Sequence, residues 1–148
     1  MDPLSQAVTG AAVAACFASK KTLRPALFLG AMGGMAADLD ILIRSQTDPL
    51  LMIEYHRHFT HSLAFSPIGG LLCALFFWLF KPIRSRLSFV KIFLFSFLGY
   101  LTHGLLDAGT GYGTHLYLPF SEARESWNII GVVDLFYTLP ALVLLVDA

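Results

Sequence analysis

Three imidazoles fall within six residues in the stretch Tyr55-His56-Arg57-His58-Phe59-Thr60-His61-Ser62, which holds three of the chain's five histidines. Packing alone does not account for such a run at the mouth of a long apolar segment. Its chemistry is that of metal ligation, and the carboxylates needed to complete a site are present elsewhere. Asp38 and Asp40 lie two apart, and His103 and Asp107 are spaced i, i+4, which puts them on one face of a helix. The three acids fall near the C-terminal ends of predicted helices, where the macrodipole disfavours an anion. Arg57 offers one compensating charge against three acids, which is too little, and a divalent metal would supply the rest.

Mixed His and Asp ligation suits zinc, manganese or iron, whereas calcium and magnesium prefer oxygen shells. Zinc is the leading expectation, as one ion or two. The expected ligands are Asp38, Asp40, His56, His61, His103 and Asp107. His56 and His61 are five apart and cannot share a regular helix face; with Thr60 as a cap between them, they can straddle a loop and a helix start. A metal with an open position lowers the pKa of its water to about 7 and makes hydroxide available. That chemistry is hydrolysis, with Arg57 stabilising developing negative charge and Asp134 handling protons.

Plainer readings stand beside these. His103 could be a polar packing residue between helices, Asp40 could pair with Arg44, and Asp134 could bond to Gln6 or Tyr137. As a set, however, ionisable residues inside a membrane are expensive and usually functional. His58 reads as a supporting or exposed residue. His115 reads equally as a substrate contact or as surface. The run Gly109-Thr110-Gly111-Tyr112-Gly113-Thr114 could offer N–H groups to an anion, or simply turn.

The elements that must position these residues are hydrophobic helices. The 148 residues are 56% hydrophobic and 14% charged, with thirteen Phe and a mean hydropathy of +0.68, against about 25% charged in a soluble domain. Ser62 to Phe80 carries no charge over a length that qualifies it as a transmembrane candidate. One domain is expected. A net charge of zero gives no argument for nucleic acid. Cys16 and Cys73 both sit in apolar segments and imply no disulfide framework.

Asp2-Pro3 starts a helix that runs through an Ala/Gly-rich segment from Leu4 to Ala18, expected to be retained. Pro25 restarts the chain towards Asp38 and Asp40. Asp48-Pro49 should open a short helix from Leu50 to about His56. A membrane segment follows over residues 61–80, kinked or restarted at Pro67 behind a Ser66 cap. The next spans residues 89–107. A loop rich in glycine and aromatics covers residues 108–127, and a last segment, residues 129–146, holds Asp134 inside its first turns and Pro140 as a kink. If the segments alternate, Lys20, Lys21, Arg24, Lys81, Arg84, Arg86 and Lys91 share one side. Only Arg44, Arg57 and Arg124 remain on the other. This positive-inside bias puts all five histidines on the exterior or periplasmic face.

In order, Asp2-Pro3-Leu4-Ser5, Thr9-Gly10, Asp38-Leu39-Asp40, His56-Arg57-x-x-Thr60-His61-Ser62, Gly99-Tyr100-Leu101-x-His103-x-x-x-Asp107, Thr110-x-Tyr112-Gly113 and Pro119-Phe120-Ser121 form a recognisable set. From Asp2 to Asp134 the chain resembles the YdjM-like family of bacterial inner-membrane metal-dependent hydrolases. The resemblance implies a hydrolase in the cytoplasmic membrane of a bacterium or archaeon, with the metal at Asp38, Asp40, His56, His61, His103 and Asp107. The family usually has glycine after His-Arg, where this chain has His58.

The expectation is therefore all-α: a polytopic membrane bundle of about five hydrophobic helices, with a short extra helix and the Gly/aromatic loop roofing an outer-face site. The expected partners are the lipid bilayer and a lipid-like ester or phosphoester, with no nucleic acid. The competing class is a metal-ion transporter or metal-stabilised scaffold.

Overall fold

The computed structural model describes residues 1–43 and 56–146. The expected helix from Leu50 to His56 and the Asp40–Arg44 pair fall outside these. The described chain is helical: α1 Pro3–Cys16, α2 Leu23–Ala36, α3 Ser66–Trp78, the single turn α4 Lys81–Arg84, α5 Phe89–Ala108 and α6 Leu135–Val146. Two 3-10 turns, Ala37–Leu42 and Phe59–His61, carry site residues. Beyond the helices, the described backbone makes two isolated bridges, Thr110 with Ile130 and Thr114 with Glu125.

Among the described residues, two stretches are long and apolar enough to cross a membrane: Leu23–Leu42, which joins α2 to its 3-10 extension, and α5, each of 20 residues. The apolar helices α3 and α6 are shorter. α5 is the central post, with α1, α2 and α3 packed on it, and α6 lies against α1.

Small residues set these contacts. A Cβ on Gly10 of α1 would overlap the Gly30 carbonyl oxygen of α2, and one on Gly99 of α5 would overlap the same oxygen from the other side. The three backbones therefore meet without side chains between them, the close approach that glycine allows where hydrocarbon surrounds the helices. At the far end from the site, Ala14, Ala26, Leu29, Ala74, Phe77 and Phe95 form a buried apolar core. The basic turns meet at this end, where Arg24 and Arg86 flank one surface hollow with Phe28, Phe77 and Phe80.

The ends of the helices refine the sequence reading. Asp2 caps α1 as expected, its carboxylate accepting from the Ser5 N–H at 3.0 Å and from the Ser5 hydroxyl at 2.5 Å. Burial pushes the Asp2 carboxyl upward, but these two hydrogen bonds outweigh it and hold the group below its ordinary value. Pro67 marks a fresh start: α3 begins at Ser66, and the preceding residues form separate turns. Ser66 does not cap it, because its hydroxyl donates back to the Ser62 carbonyl at 3.0 Å. Thr60 is likewise inside a 3-10 turn, with its hydroxyl donated to Asp40.

The last helix starts later than expected. Asp134 precedes it and accepts from the N–H groups of Gly131 and Tyr137, each at 3.2 Å. A carboxylate that can satisfy free N–H groups at a helix start gains more there than one turn further in. Before that point, residues 109–133 fold back over the end of α5. The Trp127 and Ile129 N–H groups donate to the Ala108 and Gly109 carbonyls, and Asp2 N–H donates to Val132.

Candidate metal centre

Four side chains converge where α2, the 59–61 turn and α5 end. Asp38 comes from the 3-10 extension of α2, His61 from the short turn, and His103 and Asp107 from successive turns of α5. One donor atom from each lies within 4.8 Å of the other three. His61 Nε2 and His103 Nε2 are 3.0 Å apart. Asp38 Oδ1 lies 3.5 Å from the first and 3.3 Å from the second. Asp107 Oδ2 lies 3.3 Å and 3.4 Å from them. Ligands about 2.0–2.1 Å from a tetrahedral zinc stand about 3.3 Å from one another. Five of the six donor pairs lie close to that spacing, and the four residues could hold an ion.

The orientation of both rings agrees. His103 Nδ1–H donates to the Gly34 carbonyl at 2.5 Å. His61 Nδ1–H is shared by Thr60 Oγ1 at 3.0 Å and Asp40 Oδ2 at 3.3 Å. Both rings therefore turn an Nε2 lone pair towards the cluster, the tautomer that ligation requires, fixed from behind by a carbonyl or a carboxylate. In two neutral rings these lone pairs, 3.0 Å apart, make no hydrogen bond with each other, and a proton or a metal ion between them removes the repulsion. Asp107 Oδ2 is also buried and accepts no hydrogen bond, although Arg57 Nε stands 3.3 Å away as an ion-pair partner. A cation between these atoms would satisfy all of them, as buried polar groups require.

Around this core stands a second row. Asp40 accepts from His56 Nδ1 at 2.8 Å, from the Arg57 N–H at 3.1 Å and from the Thr60 hydroxyl at 3.0 Å. Asp38 and Asp40 are two residues apart on the 3-10 extension of α2, so they project to different sides. One faces the cluster and the other faces the back of His61. His56 stands behind Asp40, one hydrogen bond further out. Of the six expected ligands, Asp38, His61, His103 and Asp107 are brought together, and Asp40 and His56 are held behind them.

Arg57 is buried and lies on the cluster's flank, with Nε 3.3 Å from Asp107 Oδ2 and an Nη donating to Thr110 Oγ1 at 3.2 Å. Its backbone has φ of 61°, in the left-handed region that non-glycine residues rarely adopt. The Thr114 hydroxyl and the His115 N–H donate to its carbonyl, at 3.1 and 3.3 Å. These bonds hold the residue in that conformation. Tyr112 lies under its guanidinium, with the ring centre 4.8 Å away.

Other expected residues lie elsewhere. Asp134 is committed to the start of α6. His115 Nδ1–H donates to the Glu122 carbonyl, and its ring packs beside His58. In the glycine run, the Thr110 and Thr114 N–H groups are taken by Asp107 and Glu125 carbonyls, and do not form an open anion nest.

Three contributors were not expected from the sequence. Gln6 donates to Asp107 Oδ1 at 3.0 Å, and the Met1 amino group donates to the same oxygen. Gly104 lets the His61 carbonyl lie directly against α5, where a Cβ would overlap it. A glutamine inside an Ala/Gly-rich apolar helix was the available signal for the first. Nothing local marks Gly104, since its role depends on a turn some forty residues away.

The comparisons agree with this picture. The chain is 32% identical to the inner membrane protein YbcI of Escherichia coli (strain K12), over 90% of this chain and 81% of that protein. It is 27% identical to the uncharacterized protein YfhP of Bacillus subtilis (strain 168), over 70% of this chain but 30% of that longer protein. No solved structure matches. The YdjM inner membrane protein family matches residues 1–147. With two helices long enough to cross a bilayer, this supports an inner-membrane location. The chain belongs to the YdjM inner membrane protein family.

Proposed function

We propose that this protein is a multi-pass inner-membrane hydrolase that uses a divalent metal, zinc foremost, at Asp38, His61, His103 and Asp107. Its substrate would be an ester or phosphoester of a membrane lipid, approached from the exterior or periplasmic side. The observation that carries the reading is the set of four donor atoms gathered within 4.8 Å of one another, with both imidazoles locked from behind and a buried guanidinium alongside. Segregation of the basic turns to the opposite end supports the orientation.

A divalent ion at the four residues would supply Lewis acidity and a water of pKa about 7. The chain's own groups do the rest. Asp40 and Thr60 fix the His61 ring, Gly34 fixes His103, and Gln6 holds Asp107 by its second oxygen. The side chains of His61, His103 and Asp107 are fully buried, whereas that of Asp38 is 27% exposed. Substrate would enter from the Asp38 side. Arg57, held rigidly beside Asp107, presents a fixed positive charge to an oxyanion or phosphoryl oxygen, with no reorganisation needed during reaction.

One observation favours a second reading. Four protein ligands around one ion are the usual complement of a structural zinc site, whereas catalytic sites commonly keep three. On that reading the protein is a metal-stabilised membrane scaffold. The deciding experiment is a panel of carboxylester and phosphoester lipids offered to detergent-purified protein, with and without chelator. Chelator-sensitive, metal-restored turnover supports the hydrolase. Full metal binding with no turnover on any member of the panel supports the scaffold.

A further inference from the structure

The helices α2 and α3 both lean on α5 and leave a cleft between themselves. Gly69 and Gly70 of α3 press on the Tyr100 ring and the Phe97 backbone, and Gly33 of α2 presses on the Ser96 backbone. Faces without side chains draw both helices inward, so their outer flanks stand apart. The cleft measures about 530 Å³ and is walled by Met32, Met35 and Leu39 on one side and Leu72, Cys73 and Phe76 on the other. That volume lies within the range of about 300–1,000 Å³ typical of ligand sites. A second hollow of about 300 Å³ continues it, sharing Leu39, Leu72 and Cys73 and ending on Asp40 and Thr60. Those two residues hold the rear nitrogen of His61. An apolar trough thus runs along the membrane span to the residues that back the metal cluster.

We infer that this trough is the acyl-chain subsite for the substrate: one fatty acyl chain of a membrane phospholipid lies between α2 and α3. The chain's ester end would reach the Asp40–Thr60 rim. The word substrate rests on the hydrolase reading, whereas the chain's seat rests on the trough alone. The occupant follows from the surroundings, since Leu39, Leu72 and Phe76 are each more than half exposed on a candidate span or beside one. In a bilayer, hydrocarbon is what such an opening meets. The length also fits. Phe77 lines both this cleft and the hollow that holds Phe28, and Phe28 to Leu39 covers about 18 Å, at about 1.5 Å per residue in α2 and about 2.0 Å in its 3-10 extension. Half of a hydrocarbon core of about 30 Å is about 15 Å, the depth of one leaflet. Unbranched methionines on one wall adapt to chains of different shape. A chain held here would supply binding energy remote from the bond being broken.

The test uses full-length protein in nanodiscs with Cys16→Ser, and a diacyl phospholipid carrying a diazirine midway along one chain. After irradiation, adducts are mapped by mass spectrometry. Adducts should concentrate on Met35, Leu72 and Cys73 relative to Val143 and Leu144, which are apolar and more exposed on α6. Leu72→Trp should remove the cleft adducts and leave those on α6. It should also raise KM for a long-chain substrate about tenfold without altering turnover of a short-chain soluble ester. Should that variant fail to fold, alkylating Cys73 of the folded protein with a bulky maleimide makes the same block. Cleft labelling no denser than on α6, or unmoved by either block, overturns the subsite even if the lipid is hydrolysed. Dense, blockable labelling without turnover of any ester supports the lipid seat and overturns the hydrolase reading.

Discussion

His61 Nε2 and His103 Nε2 face each other at 3.0 Å with both Nδ1 positions already committed as donors. A proton or a metal ion between them turns that juxtaposition from a repulsion into a bond, and the two carboxylates beside it favour the divalent charge. Protein purified with metal retained should therefore carry bound divalent metal, measurable by elemental analysis after gel filtration. His103→Ala and Asp107→Ala should each lose it. Full metal retention by both variants would remove the centre described above.

The residues behind the cluster should behave differently from those in it. Asp40→Asn and His56→Ala leave four donors in place and loosen only the support of His61. Metal affinity should fall about 10- to 100-fold, the usual effect of losing an outer partner of a ligating histidine. Competition with a chromogenic chelator reads this directly. If Asp40→Asn abolishes binding as completely as Asp107→Ala, then Asp40 is itself a ligand.

Arg57 separates binding of metal from use of it. Arg57→Lys keeps the charge but loses the planar fork that spans Asp107 and Thr110. Metal content should stay near that of the wild type, while kcat on an ester substrate falls about 10²-fold, the scale of losing one fixed oxyanion donor. Unchanged kcat with normal metal would assign Arg57 to packing.

Gly104 tests the frame. A methyl group there meets the His61 carbonyl, a backbone group that can withdraw only by moving its turn. Gly104→Ala should destabilise the fold by about 1–3 kcal/mol, as overpacking does, and should weaken metal binding because the displaced group is the backbone of a ligand. Thermal unfolding in detergent and chelator competition would report the two effects. A variant with wild-type values in both would show that the 59–61 turn is not seated on α5.

Asp2 gives the chain a modest acid dependence. Its carboxyl is held below its ordinary value by Ser5, so the charged form stabilises the fold. That contribution is complete above the unfolded value of about 3.9 and is lost as pH falls through the lower folded value. Asp2→Ala should cost about 0.5–2 kcal/mol at pH 7. The gap between variant and wild type should narrow below about pH 4. A gap independent of pH would mean that the cap acts through its shape and not through its charge.

The sequence made the helices and the acidic and histidine residues legible because both signals are local. Apolar runs, Asp2-Pro3 and the i, i+4 pair of His103 and Asp107 need no knowledge of the rest of the chain. The rank order among six candidate ligands was not legible. It depends on which side of the turn after Ala36 meets α5: Asp38 and Asp40, two apart, face different ways, and no residue type in that turn announces which one faces the cluster. Asp134 shows the same limit: in the sequence it stands in an apolar run, and its place outside α6 is decided by which N–H groups it can satisfy. The contact of Gly104 with His61 joins residues far apart in the chain, and only the folded backbone reveals it.

The glycine contacts among α1, α2 and α5 have a further consequence. The frame that sets the site is made from main-chain atoms, which every sequence shares, so the lipid-facing side chains are free to drift. A relative at 32% identity can then keep the same architecture while replacing most of its outer surface. Evolution would be slow at the few positions where no side chain fits, and fast almost everywhere else.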